Sequence, residues 1–236
     1  MSTVYGGLAG SATPAPGRTE FYRGKAAHAL TANKLTVVTA ISNPAMWASR
    51  IALYERFEEH MLDSGVNLIA VECTHGDHQP QIGMNPHVEY VHVRASGLHK
   101  CWVKENLLNL GVAAAPDAKY IATIDADVEF RSKTWASDTV EMLQHFHVIQ
   151  PWSHCYDLGP NGEHLAVHRS FADIYYEKGA AGIHQGPNAD SKHEFGHPGY
   201  AWAWTRQALE WVGGLIDTAA LGAADHHMAL ALIGKV

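Results

Sequence analysis

The sequence predicts an α/β domain in which a mostly parallel β-sheet is flanked by helices. Two observations support this fold class. Short β-branched apolar segments alternate with longer segments whose apolar residues recur every three to four positions, which is typical of βαβ units. In addition, 47% of the 236 residues are hydrophobic, so the chain can form one sizeable core.

Residues 1–30 are rich in Gly, Ala, Ser, Thr and Pro, and no apolar periodicity indicates a packed element there. We therefore expect a flexible tail over 1–30, followed by a single domain over 31–236. No secretory signal is visible, and no stretch approaches the ~18 apolar residues of a membrane span. Three scattered cysteines without a CxxC pair fit a reducing, cytoplasmic location.

The first half of the domain alternates regularly between strands and helices. A β-branched run over 35–41 predicts the first strand, and apolar residues at helical spacing over 47–61 predict the first helix. The further predicted elements are strands over 67–72, 88–93 and 120–124, helices over 99–115 and 134–146, and a strand that begins at 148. In such sheets ligands bind beyond the carboxyl ends of the strands, so the residues that follow each strand are candidates for function.

After Pro151 the pattern is less regular, and Gly, His, Asn and aromatic residues dominate up to Gly199. A long segment of this kind predicts functional loops. The alternation over 200–204 predicts a return to strand, a helix follows at about 205–212, and another helix begins at Ala224.

The strongest motif is Asp125-Ala126-Asp127, which directly follows the predicted strand over 120–124. Two carboxylates two residues apart share a face if the strand geometry persists. Mg²⁺ and Mn²⁺ prefer oxygen ligands and often bridge to substrate phosphates. A solvated turn is the alternative, but the strand context favours a cation site.

A second motif lies near the C-terminus, in Gly222-Ala-Ala-Asp225-His226-His227. Asp225 could cap the helix that begins there, or it could act as a general base near a reacting hydroxyl. His226 or His227 could contact a metal or a phosphate, although a structural role is the more common one for a single histidine.

Two further groups of side chains are candidates for substrate contacts. Lys100 and Lys104 are one helical turn apart and share a face, which either meets a diphosphate or is solvated. Four aromatic residues could stack on a sugar or a base, with core packing as the alternative: Trp152, Tyr200, Trp202 and Trp204. The three tryptophans among them are the predicted acceptor contacts.

The segments TVVTAIS, KENLLNLG, YIATIDADV and the late block from PGYAWAW to AADHHMA, in this order, resemble the GT-A-fold, family 2-like nucleotide-sugar glycosyltransferases. The resemblance covers about residues 34–234. It implies a Rossmann-like GT-A fold with a nucleotide-binding part over about 34–130 and an acceptor-binding part over about 150–236. It also implies an inverting transfer of a sugar from a UDP- or GDP-type donor, dependent on Mn²⁺ or Mg²⁺.

The resemblance further implies roles for individual residues. The metal would lie on Asp127 and Asp125, with His226 or His227 as a further ligand, and Asp225 would deprotonate the acceptor. The implied nucleotide-sugar contacts are Thr39, Ile41, Ser42, Glu72, Lys100, Lys104, Asn109, Asp125 and Ala126. The sequence leaves the acceptor open between a glycan, a lipid, a protein and a modified nucleobase, while a net charge of −7 argues against a large nucleic-acid footprint.

Departures from the family pattern keep a non-catalytic nucleotide-sugar or glycan-binding module open as an alternative. Glu72-Cys73 replaces the usual aspartate pair after the second strand, and Ala224 precedes Asp225 where the late motif commonly has a second acidic residue.

A second alternative is a zinc hydrolase, because residues 193–197 formally match the HExxH signature. That chemistry needs His193 and His197 on one helical face, with Glu194 as the base. Gly196 and Pro198 both disfavour a helix, so we expect a loop that lines an acceptor pocket.

Overall fold

The computed structural model describes residues 20–24, 34–95, 104–183, 195–219 and 222–235. Its strands are β1 (Glu20–Gly24), β2 (Leu35–Ser42), β3 (Asn67–His75), β4 (Val88–Ala95), β5 (Tyr120–Ile124), β6 (Val148–Ile149), β7 (His154–Leu158), β8 (His164–Arg169) and β9 (Ala201–Thr205). Its α-helices are α1 (Ala48–Asp63), α2 (Lys104–Ala114), α3 (Trp135–Met142), α4 (Phe171–Lys178), α5 (Arg206–Val212) and α6 (Ala224–Leu232).

Seven strands form one sheet in the order β1-β4-β3-β2-β5-β9-β6, and β7 and β8 form a separate antiparallel hairpin. Strands β4, β3, β2 and β5 are parallel, β1 and β9 are antiparallel to their neighbours, and β6 is antiparallel to β9. Five of the seven strands therefore run in one direction, which confirms the predicted mostly parallel α/β sheet. Because β3 and β5 lie on opposite sides of β2, the strand order reverses between β2 and β5. Ligands of α/β proteins bind at such a switch point.

Helices cover both faces of the sheet, because alternate residues of each strand point to opposite faces. Val37 and Ile41 of β2 belong to a core shared with α1 and α3. Val38 and Ala40 belong to a core shared with α2, α4, α5 and α6. This two-sided burial explains why the strands appear in the sequence as continuous apolar runs.

Helix α2 lies very close to the sheet because residue 111 is a glycine. A Cβ atom at Gly111 would overlap Val38 Cγ1 and would lie 2.9 Å from Val71 Cγ2. The close packing fixes the start of α2, which begins at Lys104, at the carboxyl edge of the sheet.

Most predicted elements are confirmed within a few residues, and β5 has the predicted bounds. The predicted helix over 99–115 corresponds to α2, although residues 99–103 lie outside the described residues. In the described part of the chain, no helix combines the length and the apolar character that crossing a membrane requires.

Two stretches differ from the prediction. Residues 20–24, inside the predicted tail, form β1 and pair with β4 at the edge of the sheet. The predicted loop region after Pro151 contains the β7–β8 hairpin and α4. The hairpin escaped prediction because it exposes apolar residues such as Tyr156 and Leu158, so its pattern does not indicate a buried face.

Candidate active site

The loop after β5 carries the DxD motif to the switch point between β2 and β5. The Asp125 backbone N–H donates to the carbonyl oxygen of Tyr200 over 2.8 Å, just before β9. Lys104 Nζ, at the start of α2, donates to Asp125 Oδ1 over 2.8 Å. A charged pair therefore occupies the carboxyl edge of the sheet.

Lys104 is the positive centre of this cluster. Burial alone would lower the pKa of Lys104, but the carboxylates of Asp125, Asp225 and Glu105 together outweigh that effect. The net result is a pKa above the usual value for lysine, so the ammonium group is charged at neutral pH.

Asp127 is exposed at the mouth of the site. The surrounding protein nevertheless restricts hydration of its carboxylate and raises its pKa, and the nearby Asp125 charge raises it further. Arg50 and Lys104 act in the opposite direction without cancelling the effect. A carboxylate in this situation gains stabilisation from any cation placed beside it.

Asp225 occupies the second position of α6 and faces the same cluster. Its Oδ1 accepts a hydrogen bond from the His226 backbone N–H over 2.8 Å. Its Oδ2 points towards Gly199, since a Cβ atom built there would lie 3.3 Å away. Ala223 is the N-cap residue of α6, so Asp225 does not hold the predicted capping position, although its Oδ1 satisfies one N–H of the first turn.

A small cavity of about 20 Å³ joins these groups. Its lining includes Lys104, Glu105, Asp125, Tyr200 and Asp225. That volume is on the order of one water molecule, so these side chains lie close together around a single small space.

Backbone strain concentrates at this edge of the sheet. In the described ranges, the non-glycine residues with positive φ are Met46 (56°), Tyr200 (67°) and Ala223 (62°). Met46 follows β2, Tyr200 precedes β9 and Ala223 precedes α6. Such conformations are unfavourable for residues with a Cβ atom, and they cluster at active sites.

An aromatic and histidine cluster borders the carboxylates. The His197 ring stacks on Tyr200 with a centroid distance of 4.4 Å, and Trp152 meets Tyr200 edge-on at 5.2 Å. His197 Nδ1 accepts a hydrogen bond from the Gly199 N–H, which leaves the proton of the neutral ring on Nε2. Burial, together with His168, lowers the pKa of His197 and favours this neutral form.

The hairpin carries a hydrogen-bonded network into the same region. The Tyr200 hydroxyl donates to Asp157 Oδ1 over 2.8 Å, and His168 Nε2 lies 3.0 Å from Asp157 Oδ2. The bonds from His168 and Tyr200 hold the pKa of Asp157 below its usual value. Neither Asp157 nor His168 was predicted from the sequence, where their positions within the two short segments His154–Leu158 and His164–Arg169 are the only indication of a role.

The predicted donor contacts on β2 make internal contacts instead of facing an open site. Thr39 is fully buried, and its Oγ1 donates to the carbonyl oxygen of Ile124 over 2.7 Å. Ile41 is in the hydrophobic core. Ser42 Oγ lies within hydrogen-bonding distance of His75 Nε2, at 2.8 Å.

Glu72, a predicted nucleotide-sugar contact, is buried in β3, three residues before the end of the strand. Its Oε1 accepts from the Gln81 N–H over 2.8 Å and its Oε2 from the Ile82 N–H over 3.4 Å. His92 Nδ1 lies 3.1 Å from Oε2. The carboxylate thereby holds the loop that connects β3 to β4.

Asn109 is also engaged within the protein. Its Nδ2 donates to the Leu215 carbonyl oxygen over 3.0 Å, and its Oδ1 accepts from the Leu215 N–H over 2.9 Å. The side chain thus pairs with the backbone of the segment after α5 as a neighbouring strand would. Ala126, the middle residue of the DxD motif, is buried.

The three tryptophans predicted to line the acceptor site differ in accessibility. Trp204 is fully buried, which favours the core-packing alternative for that residue. Trp202 is 7% exposed, donates to the Pro198 carbonyl oxygen and lines the small cavity. Trp152 is partly exposed beside Tyr200, so it is the tryptophan placed to contact a ligand.

The histidines predicted as metal ligands lie on α6. The His226 ring stacks on Phe195 with a centroid distance of 5.8 Å, and His227 is exposed. Among the described residues, no group of three or more His, Cys, Asp or Glu side chains forms a ready metal site. Lys100, His193 and Glu194 lie outside the described residues.

His197 contradicts the helical arrangement that the zinc-hydrolase alternative requires. The residue lies in an irregular segment and forms an isolated parallel β-bridge with Ser170. A Cβ atom at the preceding Gly196 would lie 2.6 Å from Phe171 Cα, so the chain passes close to the start of α4.

No protein-family model and no curated protein matches the sequence. A solved structure of 4-diphosphocytidyl-2C-methyl-D-erythritol synthase from Anaerococcus prevotii is similar, with a TM-score of 0.39 and 9% identity. The match covers 86% of this chain and 84% of that chain. The likeness is weak, and the fold class rests on the strand order and directions given above.

Proposed function

We propose that the protein is a glycosyltransferase that moves a sugar from a UDP- or GDP-type nucleotide donor to a hydroxyl acceptor, with inversion. One observation carries the proposal. Asp125, Asp127, Asp225 and Lys104 come from three separate segments and converge at the switch point of a mostly parallel sheet. Carboxylates and a half-buried ammonium group in that position suit the departure of a diphosphate.

The residues present suit Mn²⁺ or Mg²⁺ as a cofactor. The carboxylate of Asp127 is exposed, and its pKa is raised. Lys104 contacts Oδ1 of Asp125, so a metal ion would bind the other oxygen, Oδ2. These ions commonly bind through one or two carboxylates and take their other ligands from water and substrate phosphates. Bound there, the ion would stabilise the negative charge that develops on the leaving diphosphate.

Three side chains of the protein would have separate roles in the reaction. Lys104 would place a positive charge beside the diphosphate, while its contact with Asp125 orients the DxD loop. Asp225 would accept the proton of the acceptor hydroxyl through Oδ2 as the acceptor oxygen bonds to the anomeric carbon and the bond to the diphosphate breaks. The partly exposed Trp152 would contact the acceptor.

A thermal-shift screen of UDP and GDP, each with and without Mn²⁺, tests the proposal. We expect a rise in melting temperature only when the metal and one nucleotide are both present, since ligand at 100 times its Kd adds about 2.7 kcal/mol of stability. Asp127→Asn should remove the joint effect, and Asp117→Asn, exposed at the opposite end of the sheet, should retain it.

The same screen has outcomes that contradict the proposal. A shift with zinc alone, or no shift with any nucleotide, would exclude this use of the DxD motif. Nucleotide binding without hydrolysis or transfer of the matching nucleotide sugar would identify a binding module instead.

A further inference from the structure

We propose that Tyr200 is a positioning residue that couples the β7–β8 hairpin to the loop carrying Asp125 and Asp127. The inference rests on the proposed function for its catalytic consequence, but the coupling itself is a property of the fold. Tyr200 makes contacts in two directions, one through its backbone and one through its hydroxyl group.

The backbone contact fixes the DxD loop. Tyr200 has φ of 67°, and its carbonyl oxygen accepts the Asp125 N–H over 2.8 Å. A tyrosine in the left-handed region is unfavourable, and such a residue persists only where its surroundings hold it. Here the surroundings are the rings of His197 and Trp152, which pack against the Tyr200 ring.

The side-chain contact fixes the hairpin. The Tyr200 hydroxyl donates to Asp157 of β7, and Asp157 also pairs with His168 of β8. Hydrogen bonds to a carboxylate are stronger than those between neutral groups. A two-stranded hairpin outside the main sheet is marginally stable by itself, so its position depends on contacts of this kind.

The hairpin thus positioned contacts the segment that follows the DxD motif, where the guanidinium carbon of Arg131 lies 5.3 Å from the centroid of the Tyr156 ring. Cys155 precedes Asp157 by two residues and lies on the same face of β7. Burial raises the pKa of the Cys155 thiol to about 11, with contributions from the charges of Asp157 and Asp127. Tyr200, bonded to Asp125 through its carbonyl oxygen and to Asp157 through its hydroxyl group, therefore links the hairpin to the DxD loop.

A double-mutant cycle on Tyr200→Phe and Asp157→Ala tests the coupling. Each single variant removes the hydrogen bond and should lower kcat/KM for sugar transfer about tenfold, mainly through KM. The kcat/KM of the double variant should be no lower than that of the less active single variant, because both changes remove the same contact. Tyr176→Phe, a hydroxyl removal at a residue that is 92% exposed, is the matched control and should leave the kinetics unchanged.

Hydrogen–deuterium exchange gives a readout that needs no activity. Tyr200→Phe should speed exchange of the β7 and β8 amides and of the Asp125 amide, whereas Tyr176→Phe should not. If the wild-type protein transfers no sugar, the proposed function fails while the exchange data still decide the coupling. Additive kinetic losses in the double variant, or exchange in Tyr200→Phe identical to that of Tyr176→Phe, would overturn the inference.

Discussion

The two halves of the carboxyl edge of the sheet use their polar side chains in opposite ways. In β2 and β3, Ser42 and Glu72 make internal contacts: Ser42 connects the ends of the two strands, and Glu72 holds the loop after β3. After β5 and at the start of α6, Asp127 is exposed and Asp225 has an oxygen directed into a small cavity. Polar residues near the end of a strand therefore differ in role. Those whose oxygens are already hydrogen-bonded within the protein are structural, and those with an oxygen open to solvent or to a cavity are candidates for function.

Among the substitutions that test this difference between structural and functional side chains, the largest loss is expected at Asp225. Asp225→Asn should lower the transfer rate by about 100-fold or more, because the amide cannot accept the acceptor proton. Nucleotide binding should be unchanged, since Asn keeps an oxygen that can accept the His226 N–H. Steady-state kinetics and calorimetric titration with nucleotide and Mn²⁺ measure the two quantities.

Glu105 offers a stringent control for that experiment. It lines the same cavity, and burial, with Asp225 and Asp125 adding to it, raises the pKa of its carboxyl. If Glu105→Gln loses transfer and Asp225→Asn retains it, Glu105 is the general base and Asp225 is not.

Lys104→Met should give the next largest effect, a loss of about 1–2 kcal/mol in the free energy of unfolding. The variant leaves Asp125 without its counter-charge, and the partial exposure of the pair keeps the loss below that of a fully buried one. Because the folded state raises the lysine pKa, this stabilisation is present below the usual pKa and is lost as pH rises through the raised value.

Urea unfolding at neutral pH measures the Lys104 effect, with Lys133→Met as the control on an exposed lysine. The control should stay within about 0.5 kcal/mol of the wild type. Equal losses in the two variants would contradict a special role for the Lys104–Asp125 pair.

A smaller effect, of about 1 kcal/mol, is expected for Glu72→Gln. The amide that replaces Oε1 or Oε2 would face backbone N–H donors, so the loop between β3 and β4 should loosen. Donor affinity should change less than about twofold, because the side chain is buried. A variant with normal stability and a much weaker donor affinity would show that Glu72 contacts the donor after all.

The smallest effect is expected at Asp127 and has the opposite sign. Asp127→Asn should raise the free energy of unfolding by about 0.5 kcal/mol or less at pH 7, because the folded protein disfavours the charged carboxylate. The gain should vanish near pH 3, where the wild-type carboxyl is also neutral. A decrease in stability at pH 7 would mean that Asp127 makes a favourable ionic contact in the folded state.

The sequence predicted the parallel part of the sheet well, because β2, β3 and β5 are buried on both faces and appear as short, predominantly apolar runs. Strand β1 could not be found in this way, since its five residues depend on pairing with β4, about 70 positions later in the chain. Its sequence shows no distinct apolar pattern.

Prediction of the candidate site was similarly uneven. Asp125, Asp127 and Asp225 stand out because acidic residues directly follow a strand or a turn of small residues. The roles of Thr39 and Asn109 depend on contacts with Ile124 and Leu215, which only the tertiary structure reveals. For the same reason, Asp157 and His168 gain significance only once Tyr200 lies beside them.

Gly111 gives helix α2 the character of a lever. The helix backbone at Gly111 rests directly on Val38 and Val71. At 1.5 Å per residue, Lys104 lies about 10 Å along the helix axis from that contact. A side chain at 111 would tilt the helix about this contact, and a tilt of about 5° would displace Lys104 by about 1 Å. Such a shift would break its 2.8 Å contact with Asp125. The absence of a Cβ atom at Gly111 thus determines the distance between Lys104 and Asp125, two helical turns away.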